Sequence, residues 1–378
     1  MSYEFNLEQP TNIVFGPTVI RRLGELLPQN SKIALVCGSN TLHSNGTVDH
    51  VTGLATGSVT HIQIASHEPT LDSVDELTQT LSQEPYDCVV ALGGGSTLDS
   101  VKASAALTTQ TPNRSVLAYL EGIGQGKKLT KPGIPTILIP TTAGTGTEAT
   151  KNAVIYSPEH RVKKSLRSRL LFPHAVIIDP TLQTSCNRRT TLNSGMDAIT
   201  QCFESYISIR ATEYTRTLAK HGFQLGLSSI IQAVNSPDDL YARTAMAHCA
   251  FNSGIALANG GLGVAHGISA ALGSTAGLSH GESCAILLPF AAKLNYSSCP
   301  NRYSELANAV GLSDGPALID RIHEIAEQLG VKKSFKEFGI KPNEVHSVVE
   351  RSYGNSMSGN PFVPQPDYLA KQLLNYYA

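Results

Sequence analysis

The sequence predicts an α/β domain over residues 1–182 and an all-helical domain over residues 183–378. In the first half, short runs rich in Val and Ile alternate with polar stretches of helical length. Such alternation is typical of crossover connections on a mostly parallel sheet. After residues 179–180 (Asp-Pro) strand-like runs become scarce and apolar residues recur at helical spacing. A chain of 378 residues also favours two domains over one.

The individual elements follow from these two patterns. Each predicted strand is a short apolar run that ends near Gly, Pro, Ser or Asp. The predicted strands are 33–36, 59–65, 88–92, 136–139 and 175–178, and the helices between them are 18–27, 71–83 and 97–108. The predicted helices of the second domain are 195–208, 213–234, 239–258, 262–276, 283–295, 301–311 and 315–329.

Composition narrows the class of protein. The formal net charge is -1, with 29 basic and 30 acidic residues, so neither a nucleic-acid nor a membrane partner is expected. No apolar run is long enough to span a bilayer, and the N-terminal residues lack the pattern of a secretory signal. The seven cysteines are scattered and never form a CxxC pair. They indicate reduced thiols in a cytoplasmic enzyme rather than a disulfide framework or a zinc–thiolate site.

A glycine loop follows the third predicted strand. Residues 88–102 read CVVALGGGSTLDSVK, in which a buried strand leads through 93–96 into a helix. Glycines allow close approach of the backbone, and the free N–H groups and positive end of the helix favour a pyrophosphate. Asp99 and Lys102 lie three apart in the first turn of that helix. A tight turn without a ligand remains an alternative, and the loop is not the GxGxxG of an ordinary Rossmann fold.

A second polar loop follows the fourth predicted strand. Residues 140–148 read PTTAGTGTE and supply hydroxyls and exposed amides. A simple turn capped by Thr145 or Thr147 would explain it equally well. Two such loops at the ends of neighbouring parallel strands nevertheless favour a dinucleotide site more than either loop alone.

Four side chains of the helical domain suit a metal site. Asp197 and Gln201 are four apart and share a helical face, and His266 and His280 are each followed by Gly. A carboxylate and two imidazoles suit Fe²⁺ or Zn²⁺, with positions left for a substrate oxygen. With 12 histidines in the chain, packed or capping roles remain open, and the neutral amide of Gln201 is a poor ligand.

The motifs together resemble the iron-containing (group III) alcohol dehydrogenase family over nearly the whole chain. The matching residues are Phe15-Gly16, Gly93 to Ser96 with Asp99 and Lys102, PTTAGTGTE at 140–148, Asp179-Pro180, Gly195 to Ala198, His266-Gly267, Leu272-Gly273, His280-Gly281, Leu288-Pro289 and Asn360-Pro361.

The resemblance implies the dehydroquinate synthase-like fold and an NAD(P)-dependent alcohol dehydrogenase or aldehyde reductase. Hydride would pass between the nicotinamide of NAD or NADP and a small alcohol or aldehyde polarised by Fe²⁺ or Zn²⁺. The family is commonly dimeric or larger, so a homo-oligomer is expected. The implied metal and catalytic residues are Asp197, His266 and His280, with Gln201 as fourth metal ligand. The implied cofactor residues are Gly94, Gly95, Ser96, Asp99, Thr141, Thr142, Thr145, Asn152, Lys164 and Ser39.

Three positions depart from the family pattern. Gln201 stands where the family usually has His, and Ala270 stands where a second His is implicated in proton relay. Residues 36–40 read VCGSN, without the Asp that NAD-preferring members carry after the first strand. Gly38 and Ser39 therefore leave NADP open as well as NAD.

Other functions remain open at this point. The doubt over Gln201 keeps a metal-independent, maleylacetate reductase-like enzyme as an alternative. A dehydroquinate synthase-like lyase and a non-catalytic cofactor-binding relative are further alternatives. Residues 161–169 read RVKKSLRSR, so a substrate with an anionic group could meet Arg167 or Arg169, although a solvated basic hairpin is the simpler interpretation.

Overall fold

The structure, a computed structural model, describes residues 5–65, 67–160 and 162–378. It divides into two compact units. One comprises Gln9–Thr142 and Thr147–Cys186, and the other comprises Ala143–Gly146, Asn187–Ala378 and the stretch that ends at Glu8. The predicted boundary at residue 182 lies close to the passage from Cys186 to Asn187. The two short segments that belong to the helical unit were not predicted.

The first unit contains a six-stranded parallel sheet and a separate antiparallel hairpin. The strands are β1 (Asn12–Phe15), β2 (Lys32–Cys37), β3 (Ser58–Gln63), β4 (Cys88–Gly93), β5 (Thr136–Pro140), β6 (Asn152–Ser157), β7 (Val162–Arg167) and β8 (Ala175–Ile178). All five predicted strands are present, whereas β1 and β6 were not predicted. Strand β7 lies within residues 161–169, for which a basic hairpin was the simpler interpretation.

The sheet order β1-β8-β5-β4-β2-β3 places a topological switch between β2 and β4, because the chain reaches β4 from the edge strand β3. Cys37 lies opposite Leu92, and Gly93 lies opposite Pro140. The carboxyl ends of β2, β4 and β5 are therefore level at one edge of the sheet. Ligands of open parallel sheets bind at such an edge, beside the switch point.

Among the described residues of this unit, five α-helices accompany the strands. They are α1 (Leu23–Leu26), α2 (Asn40–Ser44), α3 (Thr47–Gly53), α4 (Leu71–Leu81) and α5 (Gly95–Leu107). The predicted helix 18–27 is a 3-10 turn at Val19–Arg22 followed by α1, and α2 and α3 were not predicted. Helix α4 starts at a capping box in which Thr70 and Ser73 satisfy each other's backbone N–H groups.

The second unit contains helices and no strand among its described residues. Its helices are α6 (Arg188–Ile207), α7 (Glu213–Asn235), α8 (Leu240–Gly260), α9 (Val264–Ala276), α10 (His280–Asn295), α11 (Pro300–Ala309), α12 (Gly315–Leu329), α13 (Phe335–Phe338), α14 (Val345–Glu350) and α15 (Pro366–Tyr377). The seven predicted helices correspond to α6 through α12, and the all-helical class is confirmed.

Small residues let the long helices approach closely. A Cβ atom built on Gly226 of α7 would lie 2.6 Å from Cys249 Sγ and 2.7 Å from Ile199 Cγ1. One at Gly195 of α6 would lie 2.4 Å from Ile230 Cδ1. Side chains of one helix thus pack directly against the glycine backbone of the next where α6, α7 and α8 meet. This packing fixes the direction in which α6 presents its polar residues.

Within the described ranges no single helix is long and apolar enough to cross a membrane. One bent pair, α8 with α9 at 104° to each other, passes the same criteria of length and composition taken together.

Candidate active site

The glycine loop forms an open helix N-terminus at the carboxyl edge of the sheet. Strand β4 ends at Gly93, and α5 begins at Gly95 with Gly94 as its N-cap residue. No side chain among the described residues caps this helix. Gly94, Gly95 and Ser96 are partly exposed, whereas α5 is buried from Thr97 onward. The first N–H groups of the helix can therefore bind an anion from the accessible side.

The loop after β2 lies against the same helix start. A Cβ atom on Gly93 would come within 2.6 Å of Thr97 Oγ1, and one on Gly38 would collide with the same oxygen. Ser39, half-buried, is the N-cap residue of α2. Ser39 thus follows β2 at the switch point beside the glycine loop, and its contact with the cofactor stays a prediction.

Asp99 and Lys102 do not face the open edge but are buried beneath it. Asp99 accepts hydrogen bonds from Thr147 Oγ1 (2.6 Å) and from the N–H of Val154 (3.0 Å), and Lys102 Nζ lies 3.8 Å from its Oδ1. Burial raises the pKa of Asp99, lowers that of Lys102 to about 8 and raises that of Glu148 to about 7. Asp99 and Lys102 bond to Thr147 and so hold the second polar loop against α5. Because Asp99 is engaged in this way, its direct contact with the cofactor stays a prediction.

The second polar loop, residues 140–148, begins beside the glycine loop. The N–H of Thr141 donates to the carbonyl of Gly93 at 2.9 Å. The methyl group of Thr142 would lie 3.3 Å from a Cβ atom on Gly94. Thr145 is exposed and belongs to the segment 143–146 of the helical unit.

The hairpin carries two further predicted cofactor residues. Asn152 begins β6, and its buried Oδ1 has no hydrogen-bond partner in the described part of the chain. Lys164 is half-buried on β7. Beside it Lys163 is 2.5 Å from a carboxylate oxygen of Glu68, and Arg161 lies outside the described residues. A buried acceptor without a partner is uncommon and is the feature expected beside a ligand that donates.

In the helical unit four donor side chains converge. Asp197 of α6, His266 of α9, and His280 and Cys284 of α10 each offer one ligand atom, and these atoms all lie within 4.8 Å of one another. Asp197 Oδ1 is 3.2 Å from His266 Nε2 and 3.7 Å from His280 Nε2. Asp197 and His266 are buried, whereas the side chain of His280 is 36% exposed.

This donor set fits a divalent transition-metal ion. Tetrahedral bonds of about 2.0–2.1 Å to nitrogen and oxygen place neighbouring donors about 3.3 Å apart. The measured oxygen–nitrogen distances of 3.2 and 3.7 Å agree with that spacing. Carboxylate and imidazole are ligands that both Zn²⁺ and Fe²⁺ accept.

Gln201 lies one helical turn after Asp197 and is also buried. Its Oε1 accepts a hydrogen bond of 2.6 Å from the hydroxyl of Ser253 on α8. The sequence analysis missed Cys284, which lies one turn after His280 with the same spacing of four residues.

Glu204 is a second residue that the sequence analysis missed. Its Oε2 is 2.7 Å from His266 Nδ1, and its carboxylate also accepts the N–H groups of Ala265 and His266 at the start of α9. With Nδ1–H donating to Glu204, the lone pair of Nε2 faces Asp197, and such a carboxylate partner orients a metal-binding histidine. The sequence could have indicated Glu204, because it lies seven residues after Asp197 and therefore on the same face of the helix.

The four donors shift one another's pKa values. Burial disfavours the imidazolium of His266, but Cys284, Asp197 and Glu204 outweigh burial and raise its pKa well above the ordinary value. The pKa of His280 is likewise raised despite burial, by Cys284 and Asp197. Burial opposes ionisation of Cys284 and Asp197, yet the two histidines lower both pKa values. A divalent cation replacing two imidazole protons would leave this charge balance unchanged.

Comparison with known proteins assigns the family. The family profile described as iron-containing alcohol dehydrogenase matches residues 10–180. The profile described as Fe-containing alcohol dehydrogenase family, C-terminal, matches residues 191–374. The chain belongs to the iron-containing alcohol dehydrogenase family.

Individual relatives span the whole chain. An NAD-dependent methanol dehydrogenase of Bacillus methanolicus is 28% identical, covering 97% of this chain and 98% of that protein. Long-chain-alcohol dehydrogenase 1 of Geobacillus thermodenitrificans is 32% identical over 87% of this chain and 86% of its own. The crystal structure of sulfoacetaldehyde reductase from Bifidobacterium kashiwanohense in complex with NAD⁺ has a TM-score of 0.92 at 25% identity, covering both chains completely.

This iron-containing alcohol dehydrogenase is therefore an NAD-dependent oxidoreductase that acts on CH–OH groups, as the family resemblance predicted. The α/β and all-helical fold is confirmed by the same structural likeness. The lyase and non-catalytic alternatives are not favoured by these relatives.

Proposed function

We propose that this dehydrogenase interconverts a small alcohol and its aldehyde at a divalent metal ion held by Asp197, His266 and His280. The observation that carries the proposal is the convergence of one carboxylate and two imidazoles, with Asp197 Oδ1 at 3.2 and 3.7 Å from the two Nε2 atoms. Three donors from three different helices meet there, which a chance pair along one helix would not produce.

When bound, the nicotinamide exchanges the hydride and the divalent ion acts as a Lewis acid on the substrate oxygen. Asp197 contributes a buried negative charge to the ion, and Glu204 keeps His266 in the tautomer whose Nε2 can bind it. His280 is the exposed member of the set, so the substrate oxygen approaches from its side.

The cofactor residues form the second part of the proposal. The first N–H groups of α5, at Gly95 and Ser96, bind the pyrophosphate with Gly94 giving the backbone room to approach. Asn152 Oδ1, buried and unpaired in the described chain, accepts a hydrogen bond from the cofactor. Ser39 carries no charge that would repel a ribose 2′-phosphate, so NADP is accepted as well as NAD.

The activity test follows formation of NAD(P)H from a series of alcohols by the purified protein loaded with Zn²⁺ or Fe²⁺. We expect His266→Ala to lose both the bound metal and turnover. His346→Ala, which removes an exposed imidazole of α14, is the matched control and should change neither. Undiminished turnover in His266→Ala would contradict the metal mechanism, and absence of net NAD(P)H with every alcohol would contradict the dehydrogenase reaction.

An aldehyde with an anionic group is a second candidate substrate. A structural relative is a sulfoacetaldehyde reductase, and this chain exposes Arg167 and Arg169 in and beside β7. We expect Arg167→Gln and Arg169→Gln to lower kcat/KM for sulfonated or carboxylated aldehydes and to leave neutral aldehydes unchanged. Equal effects on both classes of aldehyde would refute this role.

We further infer a cytoplasmic, homo-oligomeric (dimeric) enzyme. All seven cysteines lie in the described ranges and none of them forms a disulfide, which suits a reducing compartment. Sedimentation or size-exclusion measurements with light scattering will give the oligomeric state, and a monomer would contradict the inference.

A further inference from the structure

We propose that the Cys284 thiolate is the fourth ligand of the metal ion, so that this enzyme has an Asp–His₂–Cys site that favours Zn²⁺ over Fe²⁺. The inference deepens the proposed function and rests on its metal site at Asp197, His266 and His280. It assigns the fourth position to Cys284 instead of Gln201.

The distances support a shared ion. Cys284 Sγ lies 3.6 Å from His266 Nε2 and 3.7 Å from His280 Nε2. Tetrahedral zinc with bonds of about 2.3 Å to sulfur and about 2.0–2.1 Å to nitrogen places those atoms about 3.5 Å apart. The sulfur therefore lies where a fourth protein ligand would stand, and a substrate oxygen would add as a fifth ligand from the exposed side of His280.

The position of Cys284 in the fold holds its sulfur there. Cys284 lies one turn after His280 in α10, so both side chains project from the same helical face. The residue is completely buried, and the histidines contact its sulfur from two helices. A cysteine packed for its bulk alone would not need polar neighbours on two sides.

Gln201 is less suited to the fourth position. Its Oε1 is already hydrogen-bonded to Ser253 Oγ at 2.6 Å, and ligation would compete with that bond. A neutral amide would also leave Asp197 as the one anionic member of the donor set, with the Glu204 carboxylate set back behind His266. A Cys284 thiolate would place a second negative charge directly beside the buried ion.

The ligand type determines the preferred metal. Soft thiolate donors and tetrahedral geometry favour zinc, whereas Fe²⁺ lies below Zn²⁺ in general affinity. We therefore expect the purified protein, given equal concentrations of both ions without oxygen, to bind mainly Zn²⁺.

The experiment uses Co²⁺ as a spectroscopic probe for the full-length protein stripped of metal. A 1:1 complex of the wild-type protein should show the near-ultraviolet thiolate-to-cobalt charge-transfer band. Cys284→Ser should remove the band and weaken Zn²⁺ binding at least about tenfold in competition with a chelator, because even an outer partner of a ligand contributes 10- to 100-fold. Cys186→Ser, at a thiol outside the cluster, and Gln201→Ala should retain the band and the affinity.

The outcomes separate this inference from the proposed function. A wild-type 1:1 cobalt complex without the band overturns the Cys284 assignment, whether or not the variant folds. The assignment is also overturned if Gln201→Ala loses Zn²⁺ affinity and Cys284→Ser does not. In both cases abolition of binding by His266→Ala leaves the proposed metal site standing. Failure of the wild-type protein to bind Co²⁺, Zn²⁺ and Fe²⁺ overturns both proposals together.

Discussion

Replacing Glu204 by glutamine should weaken metal binding although the substitution leaves the proposed ligands in place. The carboxylate of Glu204 accepts His266 Nδ1 at 2.7 Å and also the N–H groups of Ala265 and His266. A glutamine side chain has one acceptor oxygen and one donor nitrogen. Whichever way it is oriented, its NH₂ group must face either the imidazole N–H or a backbone N–H of α9.

The magnitude follows from the bond that is lost. A hydrogen bond to a charged group contributes about 1.5–3 kcal/mol, which equals about 10- to 100-fold in a binding constant at about 1.4 kcal/mol per factor of ten. The same range is typical for carboxylate partners of metal-binding histidines. If the introduced amide retains the backbone hydrogen bonds, the loss falls on Nδ1 of His266 and is seen as weaker metal binding. If it retains the bond to Nδ1 instead, the loss is seen as lower stability of α9.

The assay titrates the metal-free protein with Zn²⁺ against a chelator of known affinity, and denaturant unfolding of the same metal-free protein measures stability. Glu305→Gln is the matched control, because that carboxylate bonds to Tyr206 at a largely exposed site away from the cluster. We expect about 10- to 100-fold weaker binding for Glu204→Gln and no change for the control. Unchanged Zn²⁺ affinity in a folded variant would refute the role of Glu204 in orienting His266.

Three further outcomes are expected. Burial raises the pKa of Glu148 from 4.5 to about 7, so the folded protein binds more protons in that interval and its stability falls as pH rises through it. Glu148→Gln should remove this fall, up to roughly 3 kcal/mol between pH 4.5 and 7, in denaturant unfolding at several pH values. Ser39→Asp should lower kcat/KM for NADP at least about tenfold relative to NAD, since a carboxylate repels the 2′-phosphate; an unchanged ratio would show that Ser39 is remote from the ribose. Gly226→Ala should lower the free energy of unfolding by about 1–3 kcal/mol because its methyl group meets Cys249 and Ile199, and undiminished stability would mean that α7 shifts freely.

The inner strands of the parallel sheet could be predicted because β2, β4, β5 and β8 are buried along nearly their whole length and read as apolar runs. The elements that were missed lack that signal. Strand β1 is the four-residue run NIVF at Asn12–Phe15, and β7 reads VKKSLR, whose charges indicated a hairpin but gave no strand bounds. Helix α2 has only five residues, Asn40–Ser44, and its N-cap residue Ser39 makes no side-chain cap. Short or charged elements are formed by their tertiary partners, which local periodicity does not contain.

The cofactor edge could be predicted because parallel strands bring their carboxyl ends to one side of the sheet. The direction in which individual side chains point from that edge could not be predicted. The sequence analysis expected Asp99 and Lys102 in the first turn of a helix and listed Asp99 among the cofactor residues, but α5 begins at Gly95 and both residues lie beyond its first turn. In the structure they point under the edge, because Thr147 and Val154 supply hydrogen bonds to Asp99 from the following loop and strand.

The fourth metal ligand illustrates the limit of spacing arguments. Two helices each carry a candidate pair four residues apart, Asp197 with Gln201 on α6 and His280 with Cys284 on α10. Spacing predicts a shared face for both pairs and cannot rank them. What ranks Gln201 against Cys284 is the neighbouring helix that each of them contacts. Helix α8 brings Ser253 to the amide of Gln201, whereas α9 brings His266 Nε2 to within 3.6 Å of the Cys284 sulfur. A chain with glutamine where its family carries histidine can therefore keep a complete donor set, provided that another helix supplies the missing donor.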